Sequence, residues 1–282
     1  MTLCASHAPG MDRDSAGEFG QLFREGVARA RAEVAEFDPE LVVLFGGDHR
    51  KAFRNVVPSL AVAFTASLLA EGNTPAQRMN VPTDISRALA EALIADEFDV
   101  TVCREVELDH AFGQPLYHYL DDVASVEVIP MPVNCASPPL PKAKRVIDFA
   151  TKVGEFLQGV DKRILYIGTG GLSHSPVSLR SDRHDLKDDE RRAINEAGFE
   201  EASKMIKPAW DKEFLDAMSR WDVDQLIRMT DNATADAGVG ANEVRTWLAA
   251  TAAGGGHGVR PLAYEPVEKW ITGMGVSLSP AA

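Results

Sequence analysis

The sequence predicts an α/β protein. We expect a three-layer sandwich, in which a central, mostly parallel or mixed sheet has helices on both faces and is followed by a helical C-terminal region. Short apolar runs alternate with stretches of helical periodicity, and the runs are continuously apolar, as is typical of strands covered on both faces. The 282 residues, of which 45% are hydrophobic, can bury a large core. Because no linker or low-complexity segment interrupts them, we expect one domain spanning residues 1–282.

The individual elements follow from the order of these patterns along the chain. Apolar, β-rich runs predict strands at 1–5, 41–45, 60–64, around 100–106, 126–130 and 164–167. Apolar residues three to four positions apart predict helices between them, at 15–37, 85–94 and 143–157. Beyond Pro176 the strand-like runs end, and helical periodicity appears at 188–206, 212–228 and 241–252. We therefore expect a helical cap on the sheet, with no strand after Pro176.

Charge and composition exclude several classes of function. The chain has 29 Lys and Arg against 42 Asp and Glu, a net charge of −13, whereas binding to a nucleic-acid backbone requires clustered cations. No stretch reaches the roughly 18 apolar residues of a membrane span, and the N-terminus has no signal-peptide pattern. Cys4, Cys103 and Cys135 are widely spaced, which indicates buried thiols in a reducing compartment. We expect a cytoplasmic protein without nucleic-acid or membrane partners.

The positions of the histidines are the most informative feature of the sequence. Four of the seven stand just beyond the carboxyl end of a predicted strand, in small, turn-forming segments. These four are His7, His49, His110 and His174. A single histidine in such a place is commonly a capping or surface residue. Ligands of open α/β sheets, however, bind where the carboxyl ends of the strands meet, so four such placements predict one shared site.

Such a group of imidazoles indicates metal binding and proton transfer. Neutral imidazole is the commonest protein ligand of divalent transition metals, and it also titrates near neutral pH. Two histidines and one carboxylate form the facial ligand set of non-haem Fe(II) enzymes, which leaves positions open for substrate and O2. The other two histidines would then be free to transfer protons. Spacing alone does not say which pair has which role, and the 42 acidic residues are too many to choose the carboxylate by counting.

Several motifs resemble those of the class III (LigB-type) extradiol ring-cleavage dioxygenases. The most specific are ELDHAFGQPL at 107–116 and GTGGLSHSP, which ends at Pro176. They are preceded by Ser-His-x-Pro at 6–9 and by LVVLFGGDH, which ends at His49. The likeness continues in order almost to the end of the chain. It includes Pro208, Trp210-Asp211, Phe214, Asn242-Glu243-Val244-x-Thr246-Trp247, Tyr264, Pro266 and Trp270-Ile271-x-Gly273.

This resemblance implies a role for each candidate residue. The ligands of Fe(II) would be His7, His49 and Glu243, and the acid–base residues would be His110 and His174. Of these two, we favour His174 as the base and His110 as the acid, although the reverse assignment remains open. Asp48 and Asp109, each directly before one of the histidines, are expected to orient or shape the site.

The resemblance also implies the reaction and the partners. The substrates would be O2 and a catechol such as 2,3-dihydroxyphenylpropionate. Cleavage beside the two hydroxyl groups would give a ring-opened product of the 2-hydroxymuconic type. The enzyme would be a homo-oligomer, and the whole chain would form one catalytic domain.

Two departures from the family pattern lie near the expected substrate. The segment between residues 174 and 210 is shorter than expected, and Arg50-Lys51 follows the second metal ligand. Together with Arg54, these cations could hold a carboxylate on the catechol, or they could be solvated surface charges. Phe112 and Leu172, each close to an acid–base histidine, are predicted to be apolar walls of the substrate pocket.

Three other functions are compatible with parts of the sequence. The glycine-rich turn at 168–171 suggests a dinucleotide site, but Ser173 stands where the last glycine of that fingerprint belongs. We expect this turn instead to let His174 approach the site closely. A zinc hydrolase could use the same two histidines and glutamate. A catalytically silent binding protein is the non-enzymatic alternative, which retention of all five expected residues disfavours.

Overall fold

The computed structural model describes residues 1–181 and 183–279 of the chain. Its strands are β1 (Thr2–Ala5), β2 (Leu41–Gly46), β3 (Ala61–Ala63), β4 (Ala66–Leu68), β5 (Gln77–Arg78), β6 (Thr101–Cys103), β7 (Val106–Leu108), β8 (Glu127–Pro132), β9 (Ile164–Thr169), β10 (Arg260–Val267) and β11 (Thr272–Leu278). Its α-helices are α1 (Pro9–Arg13), α2 (Gln21–Phe37), α3 (Thr83–Ala95), α4 (His110–Tyr119), α5 (Ala143–Leu157), α6 (Asp188–Ala197), α7 (Phe199–Ser203), α8 (Pro208–Arg220), α9 (Val223–Asp231), α10 (Ala233–Asp236) and α11 (Val244–Ala253). A 3-10 helix, Val239–Glu243, leads directly into α11. The predicted α/β class is confirmed.

A six-stranded mixed sheet forms the central layer, in the order β10-β11-β1-β9-β2-β8. Strands β1, β9, β2 and β8 are parallel to one another, while β11 runs antiparallel to both β1 and β10. Leu3 of β1 lies opposite Leu278 of β11, so the first and last strands of the chain are neighbours. The carboxyl ends of β1, β9 and β2 consequently lie side by side at one edge of the sheet.

The two C-terminal strands correct the prediction that no strand follows Pro176. In β10, Pro261 and Pro266 interrupt any apolar run, which is tolerated because the strand is at the edge of the sheet. In β11, Gly273 and Gly275 alternate with larger residues, so the strand lacks a continuous apolar pattern although it is completely buried. Their strand character therefore comes from pairing, of β11 with β1 and of β10 with β11, and not from local propensity. The helices predicted after Pro176 are present as α6 to α9 and α11.

Helices cover the central sheet on both faces, as predicted. Residues of β2 alternate between the two sides: Leu41, Val43 and Phe45 belong to one hydrophobic cluster, and Val42 and Leu44 to the other. The first cluster includes residues of α3, α5, α8, α9 and α11, whereas the second includes residues of α2 and α4. Because every residue of β2 is buried, the strand is continuously apolar, as the sequence shows.

Two predicted strands form outside the central sheet. The run at 60–64 gives β3, which pairs with β6, and the run around 100–106 divides into β6 and β7. Strand β7 pairs with β4 in a separate three-stranded sheet, β5-β4-β7. The site is thus supplied by two different sheets.

Smaller predictions had mixed outcomes. The helix expected at 15–37 begins only at Gln21, because Gly20 before it has a left-handed φ of 68°. The three cysteines are free and buried, as expected. Among the described residues, no helix has the length and apolar character needed to cross a bilayer.

Candidate metal centre

Three of the four predicted histidines follow neighbouring parallel strands of the central sheet. His7 comes after β1, His49 after β2 and His174 after β9. His110 instead begins α4, directly after β7 of the three-stranded sheet. The expectation that all four would share one sheet edge is therefore wrong for His110, because the run before it pairs with β3 and β4. The four imidazoles nevertheless lie in one cluster.

The turn after β9 holds Glu243 beside these histidines. Glu243 ends the 3-10 helix before α11, and its Oε2 accepts a hydrogen bond of 2.6 Å from the backbone N–H of Gly171. Gly170 passes so close that a Cβ there would lie 2.4 Å from the Cβ of Glu243. The sequence predicted that this turn lets His174 approach the site closely. In the structure the turn also contacts the carboxylate and the Cβ of Glu243.

His7, His49 and Glu243 meet at one point although they are far apart in sequence. The Nε2 of His49 lies 2.9 Å from Oε1 of Glu243, and the Nε2 of His7 lies 3.9 Å from Oε2. The ligand nitrogens of His7, His49 and His110 all lie within 4.8 Å of one another. His174 also lies beside the carboxylate, with its Nε2 3.9 Å from Oε2 of Glu243. Two nitrogens and a carboxylate are thus close enough to bind one metal ion.

Each of the four imidazoles is held at Nδ1, and each therefore presents Nε2 to the others. The Nδ1 partners are the hydroxyl of Thr169 for His7 at 2.8 Å, the carboxylate of Asp109 for His49 at 3.0 Å, the carboxylate of Glu71 for His110 at 2.9 Å and the carbonyl oxygen of Leu172 for His174 at 2.8 Å. In metal sites such partners fix both the tautomer and the direction of the ring. The cluster is therefore oriented before any ligand binds.

Burial and charge determine the protonation of the group. Burial lowers the pKa of His7 to about 3, so its ring is neutral at pH 7 and free to bind a metal. Burial alone would raise the pKa of Glu243, but its interactions with the imidazoles of His7 and His49 lower it to about 2. Burial likewise opposes the charged form of His49, but Asp109 and Glu243 together raise its pKa well above the usual value. A bound cation would take the place of this proton.

Two nitrogen atoms indicate that the cluster is incomplete without a further group. The Nε2 atoms of His7 and His110 are buried, and among the described residues neither has a hydrogen-bond partner. Buried polar atoms are nearly always paired in folded proteins. A metal ion or its ligand placed between the imidazoles would satisfy both atoms, and the N, N, O donor set suits a divalent transition metal.

Asp48 and Asp109 have different roles in the geometry. Asp109 is completely buried, caps α4 and accepts hydrogen bonds from the backbone N–H and the Nδ1 of His49. Burial would raise its pKa, but the charge of His49 lowers it well below the usual value. The carboxylate of Asp48 accepts three backbone N–H groups, from Lys51, Ala52 and Phe53. Asp109 thus orients a ring, whereas Asp48 shapes the loop that follows His49.

The three predicted pocket residues lie in two environments. Phe112 and Leu172 are completely buried within the hydrophobic clusters, and the ring of Phe112 packs against Gly46. Arg50 is also buried, and its guanidinium donates to the carbonyl oxygens of Ser181 and Ala136 at 2.7 and 2.8 Å. Arg50 adopts a left-handed φ of 59°, which is uncommon for a residue other than glycine.

Arg50 lines a cavity of about 340 Å³, which is within the size range of small-molecule sites. Three lining residues are sequence neighbours of the central group: Arg50 follows His49, Ser175 follows His174 and Asn242 precedes Glu243. The other lining residues are largely apolar, with Arg180 among them: Cys135, Ala136, Pro138, Leu140, Leu179, Arg180, Ser181, Thr234 and Val239. Arg180 donates hydrogen bonds to Ser175 and is ion-paired with Glu201. The cavity thus combines an apolar wall with cationic side chains.

Two residues that hold the imidazoles were not predicted from the sequence. Thr169 was assigned only to the glycine-rich turn, but its hydroxyl contacts His7. Glu71 belongs to no motif, and its contact with His110 links positions 39 residues apart. The signal for Thr169 was its place at the end of a buried strand. No sequence signal distinguished Glu71 from the other acidic residues.

Comparisons with known proteins find related chains that match almost the whole sequence. The family described as the catalytic LigB subunit of aromatic ring-opening dioxygenase matches residues 1–275. A protein of Rhodococcus globerulus named 2,3-dihydroxyphenylpropionate/2,3-dihydroxicinnamic acid 1,2-dioxygenase is 32% identical, with 98% of this chain and 96% of the relative covered. A similarly named protein of Pseudomonas putida is 32% identical over 90% of this chain and 89% of its own. One of Escherichia coli (strain K12 / DH10B) is 30% identical over 96% of both chains.

Proposed function

This chain belongs to the family of the catalytic LigB subunit of aromatic ring-opening dioxygenases, and on that premise we propose that it is an Fe(II)-dependent extradiol dioxygenase acting on a catechol with a carboxylated side chain. The convergence of His7, His49 and Glu243 between two further imidazoles is the observation that carries the proposal. We propose one catalytic domain for residues 1–282, which the pairing of β1 with β11 supports.

The metal would be held by Nε2 of His7, Nε2 of His49 and the carboxylate of Glu243. When bound, Fe(II) supplies Lewis acidity toward the two catechol oxygens and a coordination position for O2. The hydroxyl of Thr169 and the carboxylate of Asp109 keep the two ligand imidazoles directed at the ion. The ring of His110 lies close to the same position. Substitution of His110 therefore tests whether it is a metal ligand or an acid–base residue.

The Nδ1 contacts favour His174 as the base. A carbonyl oxygen only accepts hydrogen bonds, so the contact of 2.8 Å with Leu172 requires the hydrogen of the neutral ring to be on Nδ1. The lone pair is then on Nε2, which faces the centre beside Glu243. His174 is consequently prepared to accept a proton from a catechol hydroxyl.

The partner of His110 suits the opposite role. Its Nδ1 lies 2.9 Å from a carboxylate oxygen of Glu71, and a carboxylate is a good partner for a protonated imidazole. His110 would therefore donate a proton from Nε2 during opening of the ring. The ring of His110 stacks on that of His49, with centroids 4.4 Å apart, so the donor lies directly beside the metal ligands.

We further propose that the ring substituent lies in the cavity beside Arg50 and Arg180. The apolar wall suits a short carbon chain, and the two guanidinium groups suit a terminal carboxylate. The relatives are named for substrates of this kind, 2,3-dihydroxyphenylpropionate and 2,3-dihydroxicinnamic acid.

Anaerobic loading with Fe(II), followed by O2 uptake in the presence of 2,3-dihydroxyphenylpropionate, tests the reaction. We expect one O2 consumed per catechol and a yellow ring-opened product, with Zn(II)-loaded protein inactive. Activity on esters or amides with zinc, and none with iron, would instead indicate a hydrolase. Failure to bind any divalent metal would indicate a silent binding protein.

Three substitutions separate the metal ligands from the acid–base residues. Glu243→Gln should lose iron and turnover together, because it removes a charged ligand. His174→Gln and His110→Gln should keep iron while kcat falls by about 10²- to 10⁴-fold, the usual contribution of a general acid or base. Loss of iron from either histidine variant, with the fold intact by circular dichroism, would overturn its assignment.

Paired substrates test the carboxylate site. We expect Arg180→Gln to raise KM for 2,3-dihydroxyphenylpropionate by about tenfold, as one charge-assisted hydrogen bond is lost, while KM for the uncharged 3-propylcatechol stays the same. Arg192→Gln is the matched control, because Arg192 is exposed and outside the cavity lining. Equal changes for both substrates would contradict the placement of the carboxylate.

A further inference from the structure

His110 is held by a carboxylate that no family motif of the sequence includes. Oε2 of Glu71 lies 2.9 Å from Nδ1 of His110 and also accepts the backbone N–H of His110 at 2.9 Å. The other oxygen, Oε1, is ion-paired with the ammonium group of Lys51 at 2.9 Å. Both oxygens of Glu71 therefore act as acceptors. It follows that Nδ1 of His110 carries the hydrogen of this contact, and that Nε2 is the atom presented to the centre.

The backbone fixes the positions of both Glu71 and His110. Strands β4 and β7 are parallel neighbours, with Leu68 opposite Leu108, so the segments that follow them lie side by side. Glu71 follows β4 and forms two backbone hydrogen bonds with Thr74, 2.9 and 3.1 Å long, in a tight turn. The pair of Glu71 and His110 is therefore built by one small sheet, separate from the sheet that supplies the other histidines.

Lys51 connects this pair with two other parts of the site. Lys51 is two residues after His49 in the sequence. Its ammonium group bridges the carboxylates of Glu71 and Asp188, and Asp188, at the start of α6, lies 2.6 Å away. The side chains of Lys51 and Glu71 are only 15% and 22% exposed, so water screens this ion pair less than it screens a surface pair. Lys51, one of the two residues that departed from the family pattern after the second ligand, thus supports the carboxylate of Glu71.

We propose that Glu71, braced by Lys51, is the positioning residue that keeps His110 in the Nδ1–H form with Nε2 directed at the bound catechol. The proposal rests on the proposed function for the identity of the reaction, but the contact itself is independent of it. Without Glu71, the ring of His110 would lose its hydrogen-bond acceptor and could rotate about χ2. Nε2 would then no longer point at the centre.

Nuclear magnetic resonance tests the contact without any turnover. Protein labelled with ¹⁵N-histidine is loaded with diamagnetic Zn(II), and long-range ¹H–¹⁵N spectra identify which ring nitrogen carries hydrogen. His110→Gln assigns the signals of His110. We expect hydrogen on Nδ1 of His110 in the wild type and in Glu71→Gln, since an amide oxygen can still accept it, and a mixture of tautomers in Glu71→Ala. A wild-type His110 with hydrogen on Nε2 alone would overturn the proposal.

Kinetics test the consequence in iron-loaded protein. We expect Glu71→Ala to lower kcat by about 10²-fold, the usual effect of misplacing a reacting group by about 1 Å. KM and iron content should change less than threefold, because Glu71 does not line the cavity and is not one of the proposed metal ligands. Glu71→Gln should recover kcat to within about tenfold of wild type. Glu107→Ala is the matched control, since Glu107 is an exposed carboxylate on the same small sheet.

Several results would reject this role for Glu71. They are a Glu71→Ala variant with kcat within threefold of wild type, one that loses its iron, and a Glu71→Gln variant as impaired as Glu71→Ala. If the wild type itself cleaved no catechol, the proposed function would fail, and the resonance experiment would still decide whether Glu71 orients His110.

Discussion

Gly240 packs tightly against His174, the proposed base, and this packing provides a test of the site. Gly240 lies in the 3-10 helix before α11, and a Cβ at this position would be 2.2 Å from Nε2 of His174 and 2.4 Å from Cδ2 and Cε1. Non-bonded heavy atoms favour separations of about 3.5–4.0 Å, so Gly240→Ala requires a displacement of about 1 Å or more. The ring cannot easily yield, because its Nδ1 is bonded to Leu172 and the backbone of Gly240 is bonded to His174.

We therefore expect Gly240→Ala to displace the imidazole and lower kcat by about 10²-fold. The assay is steady-state oxygen uptake with an excess of catechol, together with the iron content and the melting temperature of each preparation. Gly159→Ala is the control, because the nearest atom to its Cβ would be a carbonyl oxygen at an ordinary 3.5 Å. If Gly240→Ala folded, retained iron and turned over within threefold of wild type, the role assigned to the Nε2 of His174 would be refuted.

Three further predictions concern the carboxylate ligand, the sheet and the loop of His174. Gly170→Ala should deplete the protein of iron, measured by metal analysis, because its Cβ would lie 2.4 Å from that of Glu243; full iron content would contradict this. Met274→Ala, in buried β11, should lower the free energy of unfolding by about 2–5 kcal/mol in urea titration, whereas exposed Val56→Ala should change it by less than about 0.5 kcal/mol. Tyr264→Phe should destabilise by about 1–3 kcal/mol, since the carboxylate that its hydroxyl bonds is buried; an unchanged urea midpoint would argue against that bond.

Tyr264 belongs to a buried hydrogen-bond network that supports the loop leading to His174. Asp211 is completely buried and accepts hydrogen bonds from the backbone N–H and hydroxyl of Ser173 and from the hydroxyl of Tyr264. Burial raises the pKa of Asp211, although these hydrogen bonds oppose the shift. The motif matches at Asp211 and Tyr264 thus mark residues that hold the segment before His174.

Local patterns were sufficient for much of the fold. The continuous apolar runs of β2 and β9 predicted strands covered on both faces, because each residue of such a strand packs against one helical layer or the other. The amphipathic pattern of α5 predicted its bounds, because one face of the helix packs against the core and the other is in contact with solvent. Strands β10 and β11 escaped prediction because prolines and glycines break their pattern, and their position depends on pairing with neighbours distant in sequence.

For the site, the sequence by itself determined that histidines follow the ends of strands, and its motifs named the family. The resemblance also named Glu243 as a ligand beside His49, and the tertiary structure places the two side chains in contact across 194 residues. The partner of His110, Glu71, was decided by tertiary structure alone. The spacing of apolar residues shows which side of a helix or strand faces the core, and a short segment of sequence is enough to recognise it. A contact between two polar side chains depends on where separate elements end in space, which is set by the packing of the whole molecule.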